Sequence, residues 1–170
     1  HNSNGMMLQA MLAELGIREV SVQHLPDDYL RTAEALRDLI GAHDFVIICG
    51  GVSVGDHDCV RPALQALRVE PGFWRVQIKP GKPLLFTQAP RGDGTRCTIF
   101  GLPGNPVSAF VTFLLFTRPA LLKAMGANEA GLELPRARAL LGSRLENESR
   151  RPHYVRGSFD GSSFTPQGGQ

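Results

Sequence analysis

The chain has 170 residues, 42% of them hydrophobic and 20% charged, with a formal net charge of +2. That length holds one full domain and part of a second, and the small charge with no dense Lys/Arg run excludes a strongly basic nucleic-acid binder. The apolar stretch at residues 110–116 with its flanks falls short of the ~20 residues of a membrane span, no signal-peptide pattern opens the chain, and three cysteines without CxxC spacing point to a reducing compartment, the cytoplasm.

Helical periodicity begins almost at once, without the leading strand usual in an α/β domain, so the chain reads as a fragment. Asn2 or Ser3 can cap a helix whose Met7, Leu8, Met11, Leu12 and Leu15 form an apolar stripe ended by Gly16. Val20 and Val22 alternate with polar neighbours and predict a strand toward Leu25. Pro26-Asp27-Asp28 then opens a second amphipathic helix with Leu30, Ala33, Leu36, Leu39 and Ile40 on its buried side and Gly41 near its end.

Asp44-Phe45-Val46-Ile47-Ile48 is a short, β-branched apolar run that predicts a buried strand. It runs into Cys49-Gly50-Gly51-Val52-Ser53-Val54-Gly55-Asp56-His57-Asp58 and then Val60, Leu64 and Leu67, spaced for one helix face with Pro62 in its first turn. The order helix, strand, helix, strand, helix predicts parallel strands joined by crossover helices.

Trp74-Arg75-Val76-Gln77-Ile78-Lys79 alternates, which predicts a strand with Arg75 and Lys79 on one face, roughly 13 Å apart at ~3.3 Å per residue. Pro80-Gly81-Lys82-Pro83 turns the chain into Leu84-Leu85-Phe86. A hydrophilic hairpin-like excursion at residues 90–96 precedes the strand Thr98-Ile99-Phe100. Gly101-Leu102-Pro103-Gly104-Asn105-Pro106 is a second strand-to-helix turn, with Asn105 placed to cap and Pro106 suited to the first helical position. The helix from Val107 is apolar on most sides, fit for burial or a subunit interface, and Pro119 interrupts it before Gly126 ends its continuation. Beyond Ala127, Arg, Glu and short alternating runs predict the start of a separate β domain.

The first glycine turn carries the most chemistry. Glycines let backbone N–H groups face an anion, the following helix adds a positive dipole end, and the carboxyl edge of an open α/β sheet is where ligands sit. Asp56 and Asp58 would repel a bare phosphate, so a divalent cation is the natural mediator. Asp56 also reads as a solvated neighbour, and Asp27 and Asp28 equally as first-turn helix acids. Ser53 has no identifiable His–Asp pair to activate it, His57 has no partner set for zinc, and no GKS or GKT follows, which excludes a nucleophile elbow, a zinc site and a P-loop.

Three ordered motifs, Gly50-Gly51-Val52-Ser53-Val54-Gly55 with Asp58, Lys79-Pro80-Gly81-Lys82-Pro83, and Leu102-Pro103-Gly104-Asn105-Pro106-Val107-Ser108, resemble molybdopterin molybdenumtransferases, the MoeA and gephyrin E-domain family. The resemblance covers residues 2–126 and, more loosely, the tail. It implies a three-layer, MogA-like α/β domain with a mostly parallel sheet over residues 1–126, its first strand missing, and a partial C-terminal β domain over 127–170. It further implies insertion of molybdate into adenylylated molybdopterin with release of AMP, in a cytoplasmic homodimer that works beside a MogA-type adenylyltransferase.

By that resemblance Asp58 and Asp27 hold Mg2+, and Lys79 and Arg75 gather anions, arginine keeping a charge where some members carry lysine. Gly50, Gly51, Ser53, Val54, Gly55, Lys82, Gly104 and Asn105 contact the pterin substrate. Asn2-Ser3-Asn4 is similar to the family's Asp-Ser-Asn, with one charge lost at Asn2. The family's large N-terminal portion has no counterpart in residues 1–170, so this chain is expected to bind pterin phosphate without completing the reaction. The alternatives are an adenylyltransferase of the MogA type, against which the Leu-Pro-Gly-Asn-Pro turn and the β-like tail argue, and a non-catalytic pterin-binding or scaffolding module.

Overall fold

The computed structural model describes residues 3–26, 28–52 and 59–167. Helix α1 (Ser3–Glu14) ends just before Gly16, which turns at φ +82°, and Leu8, Met11 and Leu12 are buried. Helix α2 (Tyr29–Ala42) starts at Asp28, whose carboxylate accepts the Arg31 N–H at 2.9 Å and so satisfies one of the unpaired first-turn amides. Leu30 is 67% exposed rather than buried. At about 100° per residue it lies about 120° around the helix from Leu36, off the stripe formed by Thr32, Ala33, Leu36 and Ile40.

Strand β1 (Phe45–Cys49) pairs in parallel with β4 (Arg96–Leu102), which pairs antiparallel with β3 (Leu85–Pro90); β3 in turn pairs antiparallel with β2 (Phe73–Trp74). The four-stranded sheet, in order β1-β4-β3-β2, is therefore mixed rather than mostly parallel. The cause is chain length: residues 91–95 are too few to cross the sheet, so β3 and β4 return as a hairpin. Arg91 secures that hairpin by donating from Nε to the Ile40 carbonyl at 2.8 Å, from Nη1 to Asp44 at 3.0 Å, and from Nη2 to the His43 carbonyl.

Side-chain alternation along the strands makes three layers. Val46, Ile48, Leu85, Ala89 and Ile99 face α2 and α3 (Val60–Ala66), whereas Phe45, Ile47, Phe86, Phe100 and Leu102 face α1 and the helix that follows the second glycine turn. That helix is continuous over Pro106–Ala124, as α4 (Pro106–Thr112), a π-helical turn (Phe113–Thr117) and α5 (Arg118–Ala124). Pro119 does not end it. The Arg118 N–H reaches back five residues to Phe113, and such a widened turn accommodates a residue with no N–H of its own. By length and composition this helix could cross a membrane, contrary to the reading of its apolar core alone; Ala109, Thr112, Phe113, Thr117 and Leu121 are buried within the protein.

Residues 20–25 form no strand, and among the described residues nothing pairs with them. The tail carries helix α6 (Glu129–Leu132) and a second, three-stranded sheet in the order β5-β7-β6, from β5 (Leu140–Leu141), β6 (Gly157–Phe159) and β7 (Ser163–Pro166).

Candidate functional site

At the carboxyl end of β1, Gly50 and Gly51 adopt φ +83° and +65°, a left-handed pair that L side chains resist and that turns the chain sharply. The Gly50 N–H is spent on the Leu102 carbonyl at 3.0 Å, extending the β1–β4 ladder by one bond. That amide therefore belongs to the sheet. Gly51 is exposed beyond it.

The second glycine turn lies directly against the first. A Cβ on Gly104 would sit 3.6 Å from the Gly50 Cα, an ordinary van der Waals contact, so the two turns lie side by side with room for a methyl group between them. Helix α1 joins them: Asn4 Nδ2 donates to the Gly104 carbonyl at 2.8 Å, and among the described residues no donor meets its buried Oδ1. Asn105 accepts from the Val107 and Ser108 N–H groups at 3.0 and 3.2 Å through Oδ1, capping α4. Its carboxamide oxygen is thus committed to the helix.

Residues 74–79 do not form the strand that their alternation predicts. After Trp74 the Arg75 backbone turns to φ +89°, the Arg75 and Val76 N–H groups bond Leu84 and Lys82 at 2.9 and 3.0 Å, and Pro80 and Pro83 offer no donor to prolong the ladder. Arg75 and Lys79 consequently share no strand face. The Arg75 guanidinium stacks 4.1 Å from the Trp74 ring centre, and Arg61 stacks on the same ring at 3.8 Å. The Trp74 indole donates to the Val52 carbonyl at 3.1 Å, so both guanidinium groups are tethered beside the first glycine turn.

Lys79 is held elsewhere. Its N–H donates to Pro152 at 2.9 Å and its carbonyl accepts from Tyr154 at 2.7 Å, an isolated parallel bridge to the tail. The Lys82 side chain is exposed.

Ser53, Val54, Gly55, Asp58 and Asp27 lie outside the described residues. Among the described residues no group of three His, Cys, Asp or Glu side chains gathers to hold a metal ion. Sequence reading passed over Arg61 and Trp74, whose signal was the sole tryptophan of the chain standing beside an arginine. Cys49, at the end of β1, has its thiol pushed up to about 11 by burial, as expected for an inert apolar filler.

These features define a three-layer α/β ligand-binding domain with paired glycine turns at the carboxyl edge of its parallel strands. Residues 1–123 match the family described as "Probable molybdopterin binding domain", and the chain belongs to that family, which serves molybdenum cofactor biosynthesis. It is 42% identical to the molybdenum cofactor synthesis protein cinnamon of Drosophila melanogaster over 160 residues, 92% of this chain and 25% of that protein. It is 36% identical to a molybdopterin molybdenumtransferase of Staphylococcus aureus over 128 residues, 75% of this chain and 29% of the enzyme. The crystal structure of the molybdopterin biosynthesis protein MoeA from Pyrococcus horikosii superposes with a TM-score of 0.77 at 26% identity, covering 96% of this chain and 38% of that one. The chain thus spans under a third of the length of these curated relatives.

Proposed function

We propose that this chain is the pterin-binding α/β part of a molybdopterin molybdenumtransferase, which inserts molybdate into adenylylated molybdopterin and releases AMP. The meeting of the two glycine turns at Gly50 and Gly104, with two guanidinium groups tethered alongside through Trp74, carries this reading. Backbone N–H groups from Gly51 to Gly55 receive the phosphoester, with Ser53 and Val54 among them, and the turn at Gly104 lines the facing side. Arg75 offers a charge that stays on at any working pH and can take a phosphate or molybdate oxygen bidentately. Lys82 adds positive charge, and Lys79, bridged through its backbone to the tail, is proposed to add a further one.

Asp58 and Asp27 are the carboxylates proposed to hold magnesium, which when bound would neutralise the pyrophosphate and ease departure of AMP. Positioning and charge neutralisation suffice, so no protein nucleophile is required. The working form is proposed to be a cytoplasmic homodimer supplied by a MogA-type adenylyltransferase.

Titration of this chain with molybdopterin, and assay of the full gene product for molybdate-dependent AMP release, test the proposal. The expected results are pterin binding by the chain, weakened about tenfold in Arg75→Ala, and AMP release by the full protein that is lost in Asp58→Asn. Pterin binding without AMP release by the full protein would leave a binding module. No binding by either form would reject the site.

A further inference from the structure

At the amino end of β1, roughly 20 Å of strand away from Gly50 at ~3.3 Å per residue, Ser21 Oγ lies 2.9 Å from His43 Nε2. We propose that this pair is a nucleophilic serine with its general base, a second chemical site that takes an acyl group from a small uncharged ester. The inference is independent of the pterin reading.

Three observations carry the assignment. First, the surroundings of the imidazole settle its tautomer. Nδ1 stands 3.3 Å from the Leu39 carbonyl, which can only accept, so Nδ1 carries the proton. Nε2 of the neutral ring is then bare, and the Ser21 hydroxyl is the donor of the 2.9 Å bond. A hydroxyl donating to a bare ring nitrogen, with the other nitrogen oriented by a third group, is the arrangement that activates a serine. The Leu39 carbonyl fills the place of the carboxylate in a Ser-His-Asp triad.

Second, the base is held through its backbone as well as its ring. His43 ends α2, its N–H bonds the Leu39 carbonyl at 3.0 Å, and its own carbonyl accepts from Arg91 Nη2. The half-buried imidazole is thus fixed while Ser21 is exposed to an incoming reagent. Third, there is room beside the pair. A cavity of about 330 Å³ adjoins it, with Ser21, Gln23, Ala35, Asp38, Leu39 and His43 in its walls, a volume suited to a small ligand. Asp38 would repel an acyl group that bears a carboxylate, which favours an uncharged ester. Among the described residues the Val22 and Gln23 N–H groups meet no acceptor, so two donors next to the nucleophile are available to an oxyanion.

In the reaction Ser21 Oγ bonds the acyl carbon as its proton passes to His43 Nε2. The tetrahedral oxyanion collapses, the bond to the leaving alcohol breaks, and Nε2 returns the proton to that alcohol, leaving O-acyl Ser21. Water activated by the same nitrogen then releases the carboxylic acid and restores the hydroxyl.

A fluorophosphonate probe tests the assignment, because an activated serine displaces its fluoride and becomes phosphonylated. Peptide mass spectrometry of the labelled chain is expected to show Ser21 reacting at least about 100-fold faster than the exposed Ser143. His43→Gln keeps a side-chain oxygen for the Ser21 hydroxyl but cannot take its proton, and is expected to label Ser21 about 100-fold more slowly with an unchanged circular dichroism spectrum. If that variant unfolds, the parent chain in urea supplies the comparison, and its Ser21 is expected to react at the rate of Ser143. With p-nitrophenyl acetate the parent is expected to carry an acetyl group on Ser21. Ser21 reacting no faster than Ser143 in the folded parent would overturn the proposal. So would parent-rate labelling of Ser21 in folded His43→Gln or in urea.

Discussion

The indole N–H of Trp74 donates to the carbonyl of Val52 at 3.1 Å, tying strand β2 at one edge of the sheet to the loop that leaves β1 at the other. The same ring carries Arg61 and Arg75, so one side chain sets the backbone of the glycine turn and the positions of two positive charges. Trp74→Phe keeps a ring for the guanidinium groups but removes the donor, and is expected to lower stability by about 1 kcal/mol in urea unfolding followed by circular dichroism. Trp74→Ala removes packing as well and is expected to cost about 2 kcal/mol more. An unchanged stability in Trp74→Phe would deny the hydrogen bond its role.

Gly101 is required by close approach rather than by dihedral. A Cβ there would stand 2.5 Å from Val52 Cγ1 and 3.1 Å from Leu85 Cβ. Gly101→Ala is expected to destabilise the fold by about 2 kcal/mol through overpacking. Val52→Ala vacates that space, so the double variant is expected to be more stable than the sum of the singles predicts, with a coupling of about 1 kcal/mol. Strict additivity in urea midpoints would refute the contact.

Much of this arrangement is legible in the sequence because period-two runs and capping residues are local signals. Residues 45–49 are apolar throughout and form β1, and Asn105-Pro106 reads as a helix start and is one. What local signals miss is decided across the chain. The alternation of residues 74–79 is real, but its ladder is cut short by Pro80 and Pro83 and by the stacking of Arg75 on Trp74. Val20 and Val22 show that a strand pattern needs a partner before it becomes a strand. The roles of Asp58, Asp27 and the 53–55 turn rest on motif resemblance, because those positions lie outside the described residues.

Asn105 separates a structural role from a binding role. Its Oδ1 caps two amides of α4, so Asn105→Ala is expected to cost about 1 kcal/mol. Asn105→Asp preserves the cap and is expected to stay within about 0.5 kcal/mol of the parent. If the junction at Gly104 receives an anionic pterin, the added charge should still weaken molybdopterin binding about tenfold in titration calorimetry. Unchanged affinity in Asn105→Asp would remove this turn from the binding site.

Arg91 looks like a loop residue in sequence, yet its half of the β3–β4 hairpin is fastened to α2 and β1 through the carbonyls of Ile40 and His43 and the carboxylate of Asp44. Its side chain is only 14% exposed. Arg91→Ala leaves two carbonyls without their donor and is expected to cost about 2–3 kcal/mol, whereas Asp44→Asn, at an exposed partner, is expected to cost under about 1 kcal/mol. Thermal unfolding of the two variants checks the ranking. A smaller loss for Arg91→Ala than for Asp44→Asn would mean the carbonyl bonds contribute nothing net.

The half-buried thiol of Cys49 makes a pH prediction whose sign follows from its cause. Burial raises its folded pKa to about 11 from an ordinary 9.0, so folding favours the protonated form. Below pH 9 both states keep the proton and this contribution to stability is complete. As pH rises from 9 toward 11 the unfolded thiol ionises first, and stability is lost across that window before levelling above it. Cys49→Ala has no proton to lose, so the difference between its stability and the parent's is expected to shift between pH 9 and pH 11 and nowhere below. The same burial lowers the thiolate fraction at pH 8 about 100-fold, and iodoacetamide should alkylate Cys49 about 100-fold more slowly in the folded chain than in urea, read by mass spectrometry of its peptide. Alkylation at the unfolded rate, with a flat difference curve through pH 9–11, would mean that the end of β1 is wet.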